Sequence, residues 1–251
     1  MAIFLLVLIL AGLLFGAVMY RNAIADTVTI NNLSLPDFPS DKEQLTIFFI
    51  SDIHRRTIKE ELLTQCPGTP DLVLIGGDIA EGGVPLERVR ENIKKLRKLG
   101  PAAAVLGNND FELDRRELEK LLKEEDVRLL HNEALRISED VAVIGLGEMK
   151  VNEDMLEDGL KDAGDVSFKI LLCHSPLILQ KLKKKDGIAL AISGHTHGGQ
   201  IRIGKFGLYE KGRVFETESC TVLVSNGYGT SKLPLRLGAP AEAHWITISK
   251  S

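Results

Sequence analysis

The stretch "IALAISGHTHGGQI", residues 188–201, decides how this chain reads. Five apolar residues, Ile188 to Ile192, give way to Ser193 and Gly194, and two imidazoles follow two positions apart, directly before paired glycines. In an extended backbone, positions i and i+2 point the same way. His195 and His197 therefore project together from the end of a strand, an arrangement that suits a ligand for two nitrogens.

The same strand signature recurs on both sides. "LTIFFIS", "DLVLIGG" and "AAAVLGN" are short apolar runs that close on small or polar residues, while "PLERVRENIKKLRKLG" and "RRELEKLLKEED" are helical in period and charge. Strand, turn and helix in alternation predict a layered α/β core. "VAVIGLG" and "FKILLCH" repeat the pattern, and "TVLVSNG" and "HWITIS" end the chain with less helix between them. The Lys181 to Lys185 cluster reads as the solvated end of a helix. No internal repeat or low-complexity tract is present.

Composition narrows the class. The chain has 251 residues, 44% hydrophobic and 26% charged, which suits one domain with a full core, residues 44–251, behind a separate N-terminal segment. The net charge of -4 indicates neither a broad nucleic-acid patch nor a polybasic surface, so no specific nucleic-acid partner is expected. Three cysteines, Cys66, Cys173 and Cys220, form no C-x-x-C pair and read as ordinary thiols. A monomer is expected.

Residues 1–20, "MAIFLLVLILAGLLFGAVMY", contain no charged side chain and are long enough to span a bilayer as a helix. The reading is a single-pass anchor in the cell membrane. Its rival is a signal peptide cleaved at Ala23-Ile24-Ala25, which would leave the rest secreted. Arg21 follows the span and no Lys or Arg precedes it, which opposes export under the positive-inside rule. Residues 21–43 carry two prolines and read as a linker, with "TVTI" as an edge strand within it.

The residues that close the predicted strands share one chemistry. They are Asp52 and His54 in "SDIH", Asp78 in "GGD", Asn108 in "GNND", His174 in "CHSP", and His195 with His197. In open α/β sheets the loops at the carboxyl ends of strands converge, so side chains far apart in sequence can meet there. Carboxylate, imidazole and carboxamide donors suit Mn, Fe, Zn or Ni rather than copper–thiolate chemistry. Seven such groups exceed one tetrahedral site and match two ions sharing a carboxylate, for which Asp78 has the two oxygens. Taken singly, each His or Asp reads as a hydrogen-bonded or turn-forming residue; the joint pattern carries the inference. Glycines beside the candidates allow close approach of backbone. His131 and His244 fall outside the set and read as half-buried strand residues.

"SDIH", "GGD", "GNND", "CHSP" and "GHTHGGQI", in that order, resemble the calcineurin-like metallophosphoesterases, and their spacing is similar to the small bacterial membrane-associated phosphodiesterase branch. The tail "VSNGYGTSKLPLRLGAPAE" is similar to that branch as well. The resemblance implies two central mixed β-sheets flanked by helices, a four-layer α/β sandwich. It also implies one metal on Asp52, His54, Asp78 and His197, and a second on Asp78, Asn108, His174 and His195. Two divalent ions, Mn foremost with Fe, Zn or Ni as alternatives, would activate a water for phosphoester hydrolysis. The expected substrates are phosphodiesters or diphosphates, and the apolar N-terminus, by analogy, adds the reading of a lipid-linked substrate of the membrane or cell envelope.

One motif departs from the family. Where most members carry histidine after G-N, this chain has Asn109, whose amide donates a hydrogen bond but no proton at neutral pH. General acid catalysis is typically worth about 100-fold to 10,000-fold. The expected preference is therefore for good leaving groups over alkyl monoesters. Arg55 and Arg56 are candidate phosphate clamps, Arg236 is another, and Asp110 is expected to hydrogen-bond an imidazole of the site. The competing class is a metal-binding interaction scaffold with weak or no hydrolase activity, since the common histidine is missing.

Overall fold

The computed structural model describes residues 1–41, 43–147 and 152–251. Lys42, in the expected linker, lies outside the described residues. A long helix, α1 (Ala2–Ala23), stands out from the body of the protein, nearly every side chain before its last turn exposed. Strand β1 (Val28–Ser34) follows and takes in most of the "TVTI" motif before running on in register with the C-terminal strand. The apolar runs then appear as β2 (Leu45–Ile50), the single helical turn α2 (Glu60–Leu63), β3 (Leu72–Gly76), α3 (Leu86–Leu99), β4 (Ala102–Val105) and α4 (Arg115–Glu124). Next come β5 (Val127–Leu129), β6 (Glu133–Arg136), β7 (Val141–Leu146), α5 (Glu153–Ala163), β8 (Phe168–Cys173) and β9 (Ile188–Ser193). The chain ends with β10 (Arg213–Glu216), β11 (Thr221–Val224) and β12 (Ala243–Ser249).

The strands form two six-stranded mixed sheets, β1-β12-β2-β3-β4-β5 and β10-β11-β9-β8-β7-β6. Within them β2 to β5 run parallel, as do β7, β8, β9 and β11; β12 pairs antiparallel with β2, β6 with β7 and β10 with β11. Alternation along each strand sorts the side chains into layers. Ile47, Phe49, Leu74 and Val105 meet Val143, Ile170, Leu172 and Ile192 between the sheets. Phe48, Ile50, Val73 and Ile75 face Val89, Ile93, Leu118 and Leu122 of α3 and α4. Ile144, Leu171 and Ala191 pack with Leu156 and Ala163 of α5. Central strands covered on both faces explain why their sequences are continuously apolar rather than alternating.

The short strands β5, β6 and β10 escaped the sequence reading because three or four residues carry too little periodicity. The basic Lys181–Lys185 cluster does not end an α-helix. It lies across two 3-10 turns, Pro176–Gln180 and Lys184–Asp186, the second closed by Gly187 in the left-handed region. His131 is exposed in the bend between β5 and β6, whereas His244 is fully buried in β12, so neither is half-buried.

Candidate metal centre

The candidate residues leave the carboxyl ends of five parallel strands, β2, β3, β4, β8 and β9, where the facing edges of the two sheets meet. Backbone hydrogen bonds fasten these loops together. The carbonyl of Asp78 accepts from Ile53 N at 2.8 Å and His54 N at 3.2 Å, and that of His174 accepts from Gly194 N at 3.0 Å. Asp52, His54, Asp78, His195 and His197 all have φ between 48° and 70°. This left-handed region is unfavourable for a residue with a Cβ, by about 1–3 kcal/mol each, and such strain concentrates at functional sites. Close approach is enforced at Gly77, with φ of 83°, where a Cβ would sit 2.6 Å from the amide nitrogen of Gly107. At Gly227 a Cβ would meet that of Asp52 at 2.7 Å.

Two groups of ligand atoms result. Those of Asp52, His54 and His197 lie within 4.8 Å of one another, and so do those of Asp78, His174 and His195. Nε2 of His54 faces Nε2 of His197 at 3.1 Å, and Nδ1 of His195 faces Nε2 of His174 at 3.0 Å. Asn108 joins the second group, with Oδ1 3.2 Å from His174 Nε2. The structure thus brings together all seven residues singled out as ligands. Four imidazoles, two carboxylates and a carboxamide, with nitrogen atoms paired at contact distance, fit divalent cations of intermediate hardness.

Partners around the groups fix their orientation. His174 Nδ1 lies 2.8 Å from the carbonyl of Gly76, which turns Nε2 toward Asp78. The amide of His195 donates to both oxygens of Asp52, at 3.0 and 3.1 Å. Burial alone would raise the Asp52 carboxyl, but the neighbouring His197, His174 and His54 hold it down at about 2. Burial would likewise depress His174, yet the hydrogen bond and charge of Asp78 raise it to about 9. Burial dominates at His197, pushed down to about 4.

Two residues of the centre escaped the sequence reading. Glu81 is buried with Oε2 3.0 Å from His54 Nδ1, and it also pairs with Arg55. Its signal was a carboxylate three positions after Asp78 in "GGDIAE". Glu112 accepts from Asn109 Nδ2 at 3.1 Å and from the amide of Gly82 at 2.8 Å, forming an acidic rim.

Other expectations change. Arg55 stands at the rim, its side chain 64% exposed, bonded to Glu81 and to the carbonyl of Gly82. Arg56 is turned away from the centre. Its guanidinium pairs with Asp26 at 2.7 Å, donates to the carbonyls of Ala23, Ile24 and Ala25, and stacks on Tyr228. Arg236 is wholly buried beneath His197, surrounded by backbone carbonyls, and offers nothing to a phosphate. Asp110 accepts from the amides of Ala80 and Gly107 rather than from an imidazole, because its helical turn aims it into the loop backbone.

A family model described as calcineurin-like phosphoesterase matches residues 45–199, the span that holds every one of these ligands. The chain belongs to the calcineurin-like phosphoesterase family. Membership makes it a metal-dependent phosphoester hydrolase, in keeping with the ligand groups. The chain is 43% identical to the uncharacterized protein YpbG of Bacillus subtilis, over 96% of this chain and 95% of that protein. It is 30% identical to a bovine transmembrane protein with metallophosphoesterase domain, over 86% of this chain and 55% of the bovine protein. Among solved structures, TT1561 of Thermus thermophilus shares the fold, with a TM-score of 0.53 at 16% identity over 74% of this chain and 90% of that one.

Proposed function

We propose that the chain is a membrane-anchored, dinuclear phosphodiesterase or diphosphatase acting on phosphoesters of the membrane or cell envelope. One observation carries the dinuclear reading: the same oxygen of Asp78, Oδ2, lies 3.6 Å from His54 Nε2 in one ligand group and 3.4 Å from His174 Nε2 in the other. That position would let Asp78 be shared by two ions. Divalent ions bound there, Mn foremost, would neutralise phosphoryl charge and acidify a water for in-line attack.

The residues of the chain set what that chemistry can do. Asp52, His54 and His197 would hold one ion, and His174, His195 and Asn108 the other, with Asp78 shared. The backbone amide of Asn109 donates to Asp78 Oδ1 at 2.7 Å, while its half-exposed side chain faces the rim. One Nδ2 hydrogen goes to Glu112, and the other is left to offer a phosphoryl oxygen a hydrogen bond without a proton for the leaving group. Diesters and diphosphates with stable leaving groups are favoured accordingly. Arg55 stands where a neighbouring anionic group would approach.

Helix α1 supports the anchor. Its 22 residues extend about 33 Å, close to the hydrocarbon thickness of a bilayer of about 30 Å. The carbonyls of Ala23, Ile24 and Ala25 all accept from Arg56, so the segment that leaves α1 is docked on the body of the protein. The test is metal analysis of the detergent-solubilised full chain with cleavage of bis-p-nitrophenyl phosphate. Two ions per chain and Mn-restored turnover are expected, with both lost in Asp78→Asn. Full turnover with a single ion, or none, would overturn the reading.

A further inference from the structure

The exposed apolar side chains outside α1 are not scattered. Apart from Ile24, Ile30 and Leu177, those among the described residues lie on two adjoining loops: Ile201, Ile203, Phe206, Leu208 and Tyr209 on one, Leu233 on the other. Ile203, Phe206 and Leu208 are 75%, 72% and 82% exposed, and exposed apolar residues gathered in this way mark interaction or membrane sites.

Hydrogen bonds within the first loop hold its outward display. Ile203 and Phe206 exchange backbone hydrogen bonds of 2.9 and 3.1 Å in a tight hairpin. The buried guanidinium of Arg202 supports it from below, donating to the carbonyls of Gly198, Lys205 and Tyr209. With Arg202 filling the inside, the apolar residues point out. Exposed Lys205, Lys211 and Lys232 lie on the same two loops, while Glu210, the acidic residue of residues 200–213, pairs with Arg213 at 3.3 Å.

Both loops are fastened to the end of α1. Gln200 donates to the carbonyls of Ser231 and Leu233, each at 3.1 Å, and Arg202 N donates to the carbonyl of Leu237 at 2.8 Å. One residue earlier, Arg236 N donates to the carbonyl of Met19 at 3.0 Å, and Asn22 Nδ2 donates to the carbonyl of Arg236 at 3.3 Å. Leu233 is three residues from Arg236, hence within about 11 Å of the helix contact.

We infer that the Ile201–Tyr209 loop and Leu233 form a second membrane contact, embedded in the interfacial layer of an anionic bilayer beside α1. This rests on the reading of α1 as a membrane anchor. Apolar and aromatic residues on loops that also carry basic ones are what the headgroup boundary of such a bilayer accepts. His197, a candidate ligand, and Gln200 belong to the segment that leads into this loop, so the contact would bring the metal centre toward the lipid surface.

The test uses the full chain reconstituted into phosphatidylcholine–phosphatidylglycerol vesicles, with Phe206→Trp and, independently, Leu208→Trp. Trp245 is buried in β12 and supplies the background measured in the parent chain. The emission added by each new indole should shift to the blue, lose most of its intensity to lipids brominated near the headgroup, and resist aqueous iodide. Added emission that iodide quenches and brominated lipid leaves intact, in a chain that alkaline carbonate does not extract, overturns the loop contact alone. Extraction by carbonate overturns the anchor, and the inference with it.

Discussion

Nη2 of Arg236 lies 2.9 Å from Nδ1 of His197, the only approach of a guanidinium to an imidazole of the centre among the contacts of the described residues. The rest of the Arg236 head is spent on the carbonyls of Gly229, Ala239 and Asn226, at 3.2, 3.0 and 2.7 Å, and its backbone amide reaches Met19 of α1. The side chain of this one buried residue ties the 226–239 segment to a candidate ligand, and its backbone ties the same segment to α1. Burial pushes its pKa down to about 10, which still leaves it charged at neutral pH.

Arg236→Met should destabilise the protein by about 2–4 kcal/mol, since several buried carbonyls lose their donor at once. Urea unfolding of the solubilised chain measures this, and metal content measured alongside should fall. A variant as stable and as metal-loaded as the parent would show that Arg236 is dispensable to the centre.

Glu81 Oε2 lies 3.0 Å from His54 Nδ1, an ion-pair contact not aligned as a hydrogen bond, and a ligand bound to the opposite ring nitrogen would bring the two into line. Carboxylates in that position orient a ligating imidazole, and their loss typically lowers metal affinity or activity about 10- to 100-fold. Glu81→Gln should show a loss of that size in metal titration, with the fold unchanged by circular dichroism. Unaltered affinity would assign Glu81 to Arg55 alone.

Asn109→His should raise turnover of alkyl phosphate monoesters, by up to about 100-fold if the new imidazole acts as a general acid. Turnover of aryl diesters, whose leaving groups need no proton, should change little. Steady-state kinetics on both substrates at equal metal loading distinguish the two. No gain on the alkyl ester would remove Asn109 as the origin of the preference.

His244 is far from water and its neutral form is fully partnered: Asn31 Nδ2 lies 3.2 Å from Nδ1, and Nε2 lies 2.9 Å from Ser225 Oγ. Burial lowers its pKa from the ordinary 6.5. The unfolded chain then binds the proton that the folded chain refuses, so the His244 contribution is present above about pH 6.5 and is lost as pH falls toward the folded value. His244→Gln should flatten the dependence of unfolding free energy on pH between about 7.5 and 5.5. An unchanged slope would mean that other groups govern that range.

Much of the centre was legible in the chain itself. Asp52, His54, Asp78, Asn108, His174, His195 and His197 each follow an apolar run that becomes a strand, and residue type plus strand end is local information. The α/β class and the apolar segment that becomes α1 are legible for the same reason, because hydropathy and its period act over a few residues. What the tertiary structure decided concerns contacts between segments distant along the chain. It set β12 between β1 and β2, buried Arg236 under His197, turned Arg56 to the exit of α1 and aimed Asp110 at two amides. An arginine that clamps a phosphate and one that braces a loop look alike in sequence. Only the packing of other elements around each guanidinium determines whether water, a ligand or backbone carbonyls receive its hydrogen bonds.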